Sequence, residues 1–477
     1  MNNTLQEPSV RKGDEVIVTI ESLAYGGMGI GRVGPFVVFV KQGLPGQTVK
    51  VFVYKKRKGF AEARIVEILT ESPDATEPVC EHFPICGGCK HQHLSYEKQV
   101  EQKRNQVQDI FQRLGGFESV PIDTVIPADS IYEYRNKMEF TISNRRWVDQ
   151  NEPEEAKKDF ALGLHIPGRF DKILDINQCH IQPSIGNKIL SIVRQTAMEH
   201  KLKPYDARTH NGYLRHLMLR FGSQTNDIMV NIVTSYEKTE FLKPIVDILL
   251  EKVPEITCII NNINTRKADV AYGEYEILLH GKPVITEKIG DLNFEISANS
   301  FFQTNTMQGE ALYNVAMEKA SLTDEEIVWD LYCGTGTITL FLAQKAKEAY
   351  GFELIRSSIE DANRNAILNG IGNAFFIKAN LDTFLKGTNR HQFPPPDVIV
   401  IDPPRAGMHE DTVKLIPKIA PNRVVYISCN PTTQARDIAL LSKRGFDLKS
   451  LTVVDMFPHT PHIETVALLV NRRTLQD

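Results

Sequence analysis

The sequence predicts a doubly wound α/β domain at the C-terminal end of the chain, preceded by an α+β region and a small β-barrel. Three observations carry this. From about residue 300, apolar strand-like runs ending in loops alternate with helical segments: "EEIVWDLYCGTGTITLFLAQ", "EAYGFEL", "AFFIKAN", "DVIVIDPPR" and "RVVYISCNP". That alternation is the signature of a mainly parallel sheet with helices between its strands. Residues 10–68 instead hold only short strand-like runs split by Gly-rich turns, as a small closed sheet requires. At 477 residues the chain is also too long for one compact core, so several domains are expected.

The barrel runs are "VIVTI" (16–20), "FVVFV" (36–40), "VKVFVY" (49–54) and "AEARIVEI" (61–68), with "YGGMGIGRVG" and "GLPGQ" between them. Its "YKKRKGF" (54–60) interleaves Lys55, Lys56, Arg57 and Lys58 with Tyr54 and Phe60. That mixture suits phosphate contact plus base stacking, although taken alone it is equally a solvated hairpin. A cysteine-rich stretch follows, then a helix from Leu94 to about Leu114. Its apolar stripe is Val100, Val107, Ile110, Phe111 and Leu114, and Gly115-Gly116 ends it. Residues 120–300 mix strand-like runs with basic stretches such as "YRNKMEF" and "LRHLMLRFG". The expected domains are therefore 1–68, a central α+β unit at 69–299 with the helix 94–114 packing on the catalytic domain, and 300–477.

Apolar residues at 42% and charged residues at 24% exclude a disordered or fibrous chain. A net charge of −4 means that any nucleic-acid surface must come from local basic clusters. No apolar run reaches membrane-spanning length, and the leading "MNNTLQEPSVRKGDE" lacks a hydrophobic signal core. A soluble, cytoplasmic protein is expected. Seven cysteines, an odd number and mostly far apart, argue for reduced thiols rather than a disulfide framework. Cys80, Cys86 and Cys89 form C-x5-C-x2-C, and Cys179 in "NQCHI" is a fourth candidate. Four thiolates can hold zinc or an iron–sulfur cluster, and spacing leaves both open. Cys258 in "ITCII" has the setting of a core residue.

In such a sheet, ligands bind outside the carboxyl ends of the strands. The first strand of the series ends at Asp330 and turns through Gly334 and Gly336 into a helix. There is no G-x-G-x-x-G, and an acid before the loop would repel a pyrophosphate yet suit a cationic, hydroxyl-bearing cofactor. Glu353 closes the next strand, where an acid holds a ribose diol. Asn380 closes the third, and its amide can hydrogen-bond an adenine. Asp402, before Pro403-Pro404, is held extended and presented at the fourth strand end. Together these resemble the S-adenosylmethionine pocket of class I (Rossmann-like) methyltransferases. Cys333, inside the loop, is a core or cofactor-contact residue. The fifth strand delivers Cys429 to the same edge, and Glu464 precedes the last apolar run.

"DLYCGTGT", "DPPRAG", "SCNP" and "HIETV", with "SFFQTN" upstream, resemble the RNA 5-methyluridine (uracil-C5) methyltransferase family across nearly the whole chain. The resemblance implies an N-terminal barrel of TRAM type, S-adenosylmethionine as cofactor, and a [4Fe-4S] cluster in preference to zinc on Cys80, Cys86, Cys89 and Cys179. By motif it makes Cys429 the nucleophile and Glu464 the base. Gln303, Tyr332, Glu353 and Asp402 match the family's cofactor positions. Thr337 stands where some members have Asn.

The implied partner is RNA, with a uridine flipped out of its stack. Members with both barrel and cysteine cluster are commonly ribosomal enzymes, so 23S rRNA is the first expectation and transfer RNA the runner-up. No membrane and no obligate protein partner is implied. The rivals are an amino-group methyltransferase using "DPPR", a cytosine carbon-5 methyltransferase, and a non-catalytic RNA-binding factor. The first would need no thiol, the second fits the "SCNP" and Glu464 context less well, and the third would bind no cofactor.

Overall fold

A computed structural model describes residues 10–149, 152–153, 155–268 and 270–475. Most of the leading segment read for a signal core therefore lies outside the described residues. Five strands, Glu15–Leu23, Gly29–Val33, Phe36–Lys41, Thr48–Lys56 and Phe60–Thr70, form a closed barrel. Closure comes from pairing of the first strand with the fourth and of the third, in parallel, with the fifth. Alternate residues point inward, as the strand period dictates, so Val18, Ile20, Val38, Val40, Val49, Val51 and Val53 make the barrel core.

The central unit is a seven-stranded sheet. Its spatial order is Tyr275–Gly281, Cys258–Ile263, Ile228–Thr234, Leu214–Phe221, Lys137–Ser143, Ala161–Ile166 and Arg169–Asp175. Helices Ser184–Glu199 and Lys243–Lys252 cover one face through Ile189, Leu190, Val193, Ile245 and Leu249.

The catalytic sheet has eight strands, in the order Ala374–Lys378, Glu348–Glu353, Ile327–Leu331, Val398–Ile401, Arg423–Ser428, Glu464–Asn471, Phe446–Val454 and Ile122–Ile126. The first five run parallel. Their side chains alternate between two separate cores: Val328, Val400 and Val425 face one layer of helices, whereas Trp329, Ile399 and Val424 face the other. Burial on both faces is why these strands are continuous apolar runs.

Three features depart from the sequence reading. The edge strand Ile122–Ile126 comes from far upstream and pairs in parallel with Phe446–Val454. The hairpin Val284–Ile289 and Leu292–Ser297 buries Ile285, Ile289, Phe294 and Ile296 in a catalytic core, so that core begins before residue 300. The third concerns the helix Tyr96–Arg113, which packs Val107, Ile110 and Phe111 against the catalytic sheet. Leu114 is exposed and Val100 only half-buried; the buried stripe runs instead through Gln99, Gln102, Lys103 and Gln106. Gln99, Gln102 and Lys103 are matched, whereas Gln106 Oε1 has no hydrogen-bond partner among the described residues. Gln102 Oε1 accepts the Leu23 N–H of the barrel at 2.9 Å. Gln99 donates to the His91 and Leu94 carbonyls and accepts the His459 N–H. Lys103 Nζ donates to Asp455 at 2.5 Å and to the Phe457 carbonyl. Among the described residues no helix is long and apolar enough to cross a membrane.

Candidate active site

The cofactor loop is shaped by backbone constraints. Tyr332, Gly334 and Gly336 all take left-handed φ values, 72°, 54° and 81°. Tyr332 is bulky, and a positive φ there is the kind of strain that clusters at functional sites. A side chain at Gly336 would come within 2.7 Å of Phe376 and 2.8 Å of Ala362, so the loop lies against the sheet only because no Cβ intervenes. Gly334, by contrast, faces open space. Thr337 opens the helix Thr337–Ala343 and is buried.

Asp330 is wholly buried. Its Oδ2 accepts from Thr339 Oγ1 at 2.6 Å, and its Oδ1 has no hydrogen-bond partner among the described residues. Burial, with the Glu353 charge added, pushes its pKa up to about 7. Glu353 accepts the N–H groups of Gly334, Leu354 and Ile355. A carboxylate offers about four acceptor sites, so roughly one is left for a ligand hydroxyl. Asn380 is exposed, and its Oδ1 caps the short helix Leu381–Phe384 by accepting the Asp382 N–H. Burial raises the pKa of the Tyr332 hydroxyl, and the charges of Asp382 and Asp437 add to this. Burial raises that of the Tyr313 hydroxyl, with Asp402, Asp330 and Glu464 adding to this and Gln303 opposing it.

Cys429 follows the strand Arg423–Ser428 directly, and Glu464 begins its antiparallel neighbour, with Ser428 paired to Thr465. Adjacent strand ends thus bring the thiol and the carboxyl to one place. Asn430 fixes the turn: its Oδ1 caps the next helix, and its Nδ2 donates to the Arg405 carbonyl at 2.9 Å. Burial pushes the Cys429 thiol up to about 11; Glu464 and Asp402 add to this, and Arg405, by charge and hydrogen bond, opposes it. Burial holds Glu464 well above the usual carboxylate range, helped by Asp402 and opposed by Arg405 and Lys103. Asp402, desolvated and near Asp330, rises to about 7.

Sequence reading missed four residues here. Arg405 carried a signal as the last residue of "DPPR". Lys103 did too, as a cation on the inward face of an amphipathic helix. Tyr313 and Tyr25, whose hydroxyl feels Cys429, Arg405 and Glu464, reach the site from other parts of the chain and carried none.

Cys80, Cys86, Cys89 and Cys179 line a single cavity of about 350 Å³ that also reaches Arg135, Thr460 and His462. Burial pushes Cys86 up to about 11 and Cys89 to about 12, and each feels the charges of others in the set. Yet no three His, Cys, Asp or Glu side chains among the described residues are gathered tightly enough to hold a metal ion. All seven cysteines are free. Cys258 is core, and Cys333, within the cofactor loop, is buried.

Comparison with known proteins gives a consistent result. The profile of the tRNA (Uracil-5-)-methyltransferase family matches residues 282–472, and that of the TRAM domain matches residues 9–66. An uncharacterized RNA methyltransferase of Chlorobaculum tepidum is 43% identical, over 97% of this chain and 97% of its own length. One from Porphyromonas gingivalis is 42% identical, over 94% and 99%. The crystal structure of a Pyrococcus abyssi tRNA (uracil-54, C5)-methyltransferase in complex with S-adenosyl-L-homocysteine superimposes with a TM-score of 0.73 at 29% identity, covering 95% of this chain and 99% of that one.

With a pKa near 11, the Cys429 thiolate fraction in the free protein rises about tenfold per pH unit across the neutral and mildly alkaline range. Alkylation of Cys429 by iodoacetamide, followed by peptide mass spectrometry, should therefore climb steadily from pH 7 to 10 without a plateau. Arg405→Met should slow it severalfold at pH 8. A plateau below pH 9 would contradict this electrostatic picture.

Proposed function

Since the chain belongs to the RNA methyltransferase family that carries the tRNA (uracil-5-)-methyltransferase domain, we propose that it forms 5-methyluridine in RNA from S-adenosylmethionine, with Cys429 as nucleophile and Glu464 as base. The observation that carries this reading is the pairing of one thiol with one buried carboxyl group at adjacent strand ends, beside the glycine loop.

The residues fit the cofactor. Asp330 offers an unpartnered buried oxygen to a cationic group, Gly334 leaves space for a ligand, and Glu353 keeps an acceptor for a ribose hydroxyl. Gln303, Tyr332, Thr337, Asn380 and Asp402 would complete the pocket. When bound, S-adenosylmethionine supplies an electrophilic methyl group.

The protein's own groups do the rest. The Cys429 thiolate forms a bond to uracil carbon 6. The 5,6 π pair then shifts towards carbon 4, whose carbonyl oxygen takes the charge, giving an enolate whose carbon 5 is nucleophilic. A raised thiol pKa makes the thiolate scarcer but more nucleophilic, and Arg405 partly offsets the scarcity. Once carbon 5 is methylated, the Glu464 carboxylate takes its proton. That electron pair restores the 5,6 double bond and expels the Cys429 thiolate. Burial raises the proton affinity of Glu464, so it removes this proton strongly once its own proton has left.

The resemblance read from sequence favours 23S rRNA as substrate. Transfer RNA is the second reading, and the Pyrococcus structure favours it. That structure acts on tRNA and covers 95% of this chain, too much to omit the barrel, so the barrel does not separate the two. Either substrate is met in the cytoplasm. Mass-spectrometric mapping of 5-methyluridine in rRNA and tRNA should show one site class lost in a deletion strain and restored by the wild-type gene but not by Cys429→Ala. Restoration by Cys429→Ala would refute the mechanism.

For the four-cysteine cavity the proposal is a [4Fe-4S] cluster in a structural role. The four thiols line one cavity, a setting open to zinc as well; the resemblance read from sequence is what favours the cluster. A cluster takes each thiolate on a separate iron, for which a 350 Å³ cavity has room. Elemental analysis after anaerobic purification should find iron and sulfide; zinc in their place would overturn this assignment.

A further inference from the structure

We propose that Tyr25, in the turn between the first two barrel strands, roofs the uridine pocket and stacks on the base that Cys429 attacks. This rests on the reading of Cys429 as nucleophile. The barrel then supplies part of the active-site wall, in addition to any grip on distant RNA.

The turn is docked from both sides. Gln102 of the long helix accepts the Leu23 N–H at 2.9 Å, and Lys90 Nζ reaches the Gly26 carbonyl at 3.4 Å. Gly27 has φ 93°, and a Cβ there would sit 2.8 Å from the His91 ring and 3.4 Å from Pro461 Cβ. Only glycine allows this approach. Pro461 lies three residues before Glu464, so the docked turn overhangs the segment that leads into the site. Within it, the Tyr25 hydroxyl feels Cys429, Arg405 and Glu464 together, while 38% of the residue stays exposed. Burial and the neighbouring acids keep that hydroxyl protonated, so it presents a neutral donor beside a flat ring. A flipped pyrimidine has lost its stacking partners, and an aromatic face replaces them whatever the flanking sequence.

The test is methyl incorporation from labelled S-adenosylmethionine into bulk RNA from cells lacking the protein, using the full chain. Tyr25→Ala should lower kcat/KM about tenfold or more, the scale of one lost base–aromatic stack. Melting temperature and S-adenosylhomocysteine affinity should stay at wild-type values. Tyr25→Phe, which keeps the ring, should remain within about threefold of wild type. Wild-type kcat/KM in Tyr25→Ala would overturn the proposal, as would an equal loss in Tyr25→Phe, which would assign the effect to the hydroxyl. So would a parallel fall in cofactor affinity. If the wild-type protein itself incorporates no methyl into the bulk RNA, the reading of the active site falls, and this proposal with it.

Discussion

The burial of Lys103 against Asp455 is the constraint on which the rest of the arrangement depends. Side-chain exposures of 3% and 1% leave two charges with almost no water. Desolvation costs several kcal/mol per ion, and removing one partner of such a pair costs roughly 3–5 kcal/mol because the other is stranded. The pair therefore adds little net stability over an apolar contact, but it fixes register. Helix Tyr96–Arg113 can sit against the segment before Glu464 in one position only. From that position Gln99 reaches His459, 360 residues away, and Gln102 reaches the barrel at Leu23. One helix face thus ties the barrel, the cysteine-bearing segment and the catalytic loop to a common frame.

That frame matters because the chemistry crowds like charges. Beyond burial, Asp330 raises Asp402, Asp402 raises Glu464, and both Glu464 and Asp402 raise Cys429, while Arg405 and Lys103 are the cations acting back on Glu464 and Arg405 on Cys429. Such a cluster relaxes unless its backbone is held. Here it is held by strand ends, by the Asn430 cap and by the buried ion pair. Under the proposed mechanism, confining acids together yields a more basic carboxylate and a scarcer but more nucleophilic thiolate, beside the buried Asp330 oxygen that would face a cation.

Much of this was legible in the sequence, for local reasons. The five parallel strands are apolar on both faces, and each ends in a recognisable residue, so Asp330, Glu353, Asp402 and Cys429 could be set along one edge by counting. The barrel's alternating valines were equally plain. What could not be read is non-local. Ile122–Ile126 looks like any short strand until Phe446–Val454 pairs with it. The helix glutamines carried no signal, because their partners lie in the barrel and near residue 459. Tyr25 opens a Gly-rich turn and carried no signal, since nothing in its neighbourhood points to Cys429, about four hundred positions away. The cysteine set stands between these cases: spacing grouped the thiols correctly around one cavity, but the side chains are not drawn together as a single metal ion would need.

The central claim, covalent catalysis by Cys429 with release by Glu464, is tested most directly by mass spectrometry of Glu464→Gln incubated with RNA and S-adenosylmethionine. The account predicts that methylation proceeds but elimination stalls. A nucleotide bearing a methyl group should therefore remain attached to the peptide that contains Cys429. Free 5-methyluridine released at the wild-type rate, with no adduct on that peptide, would contradict it.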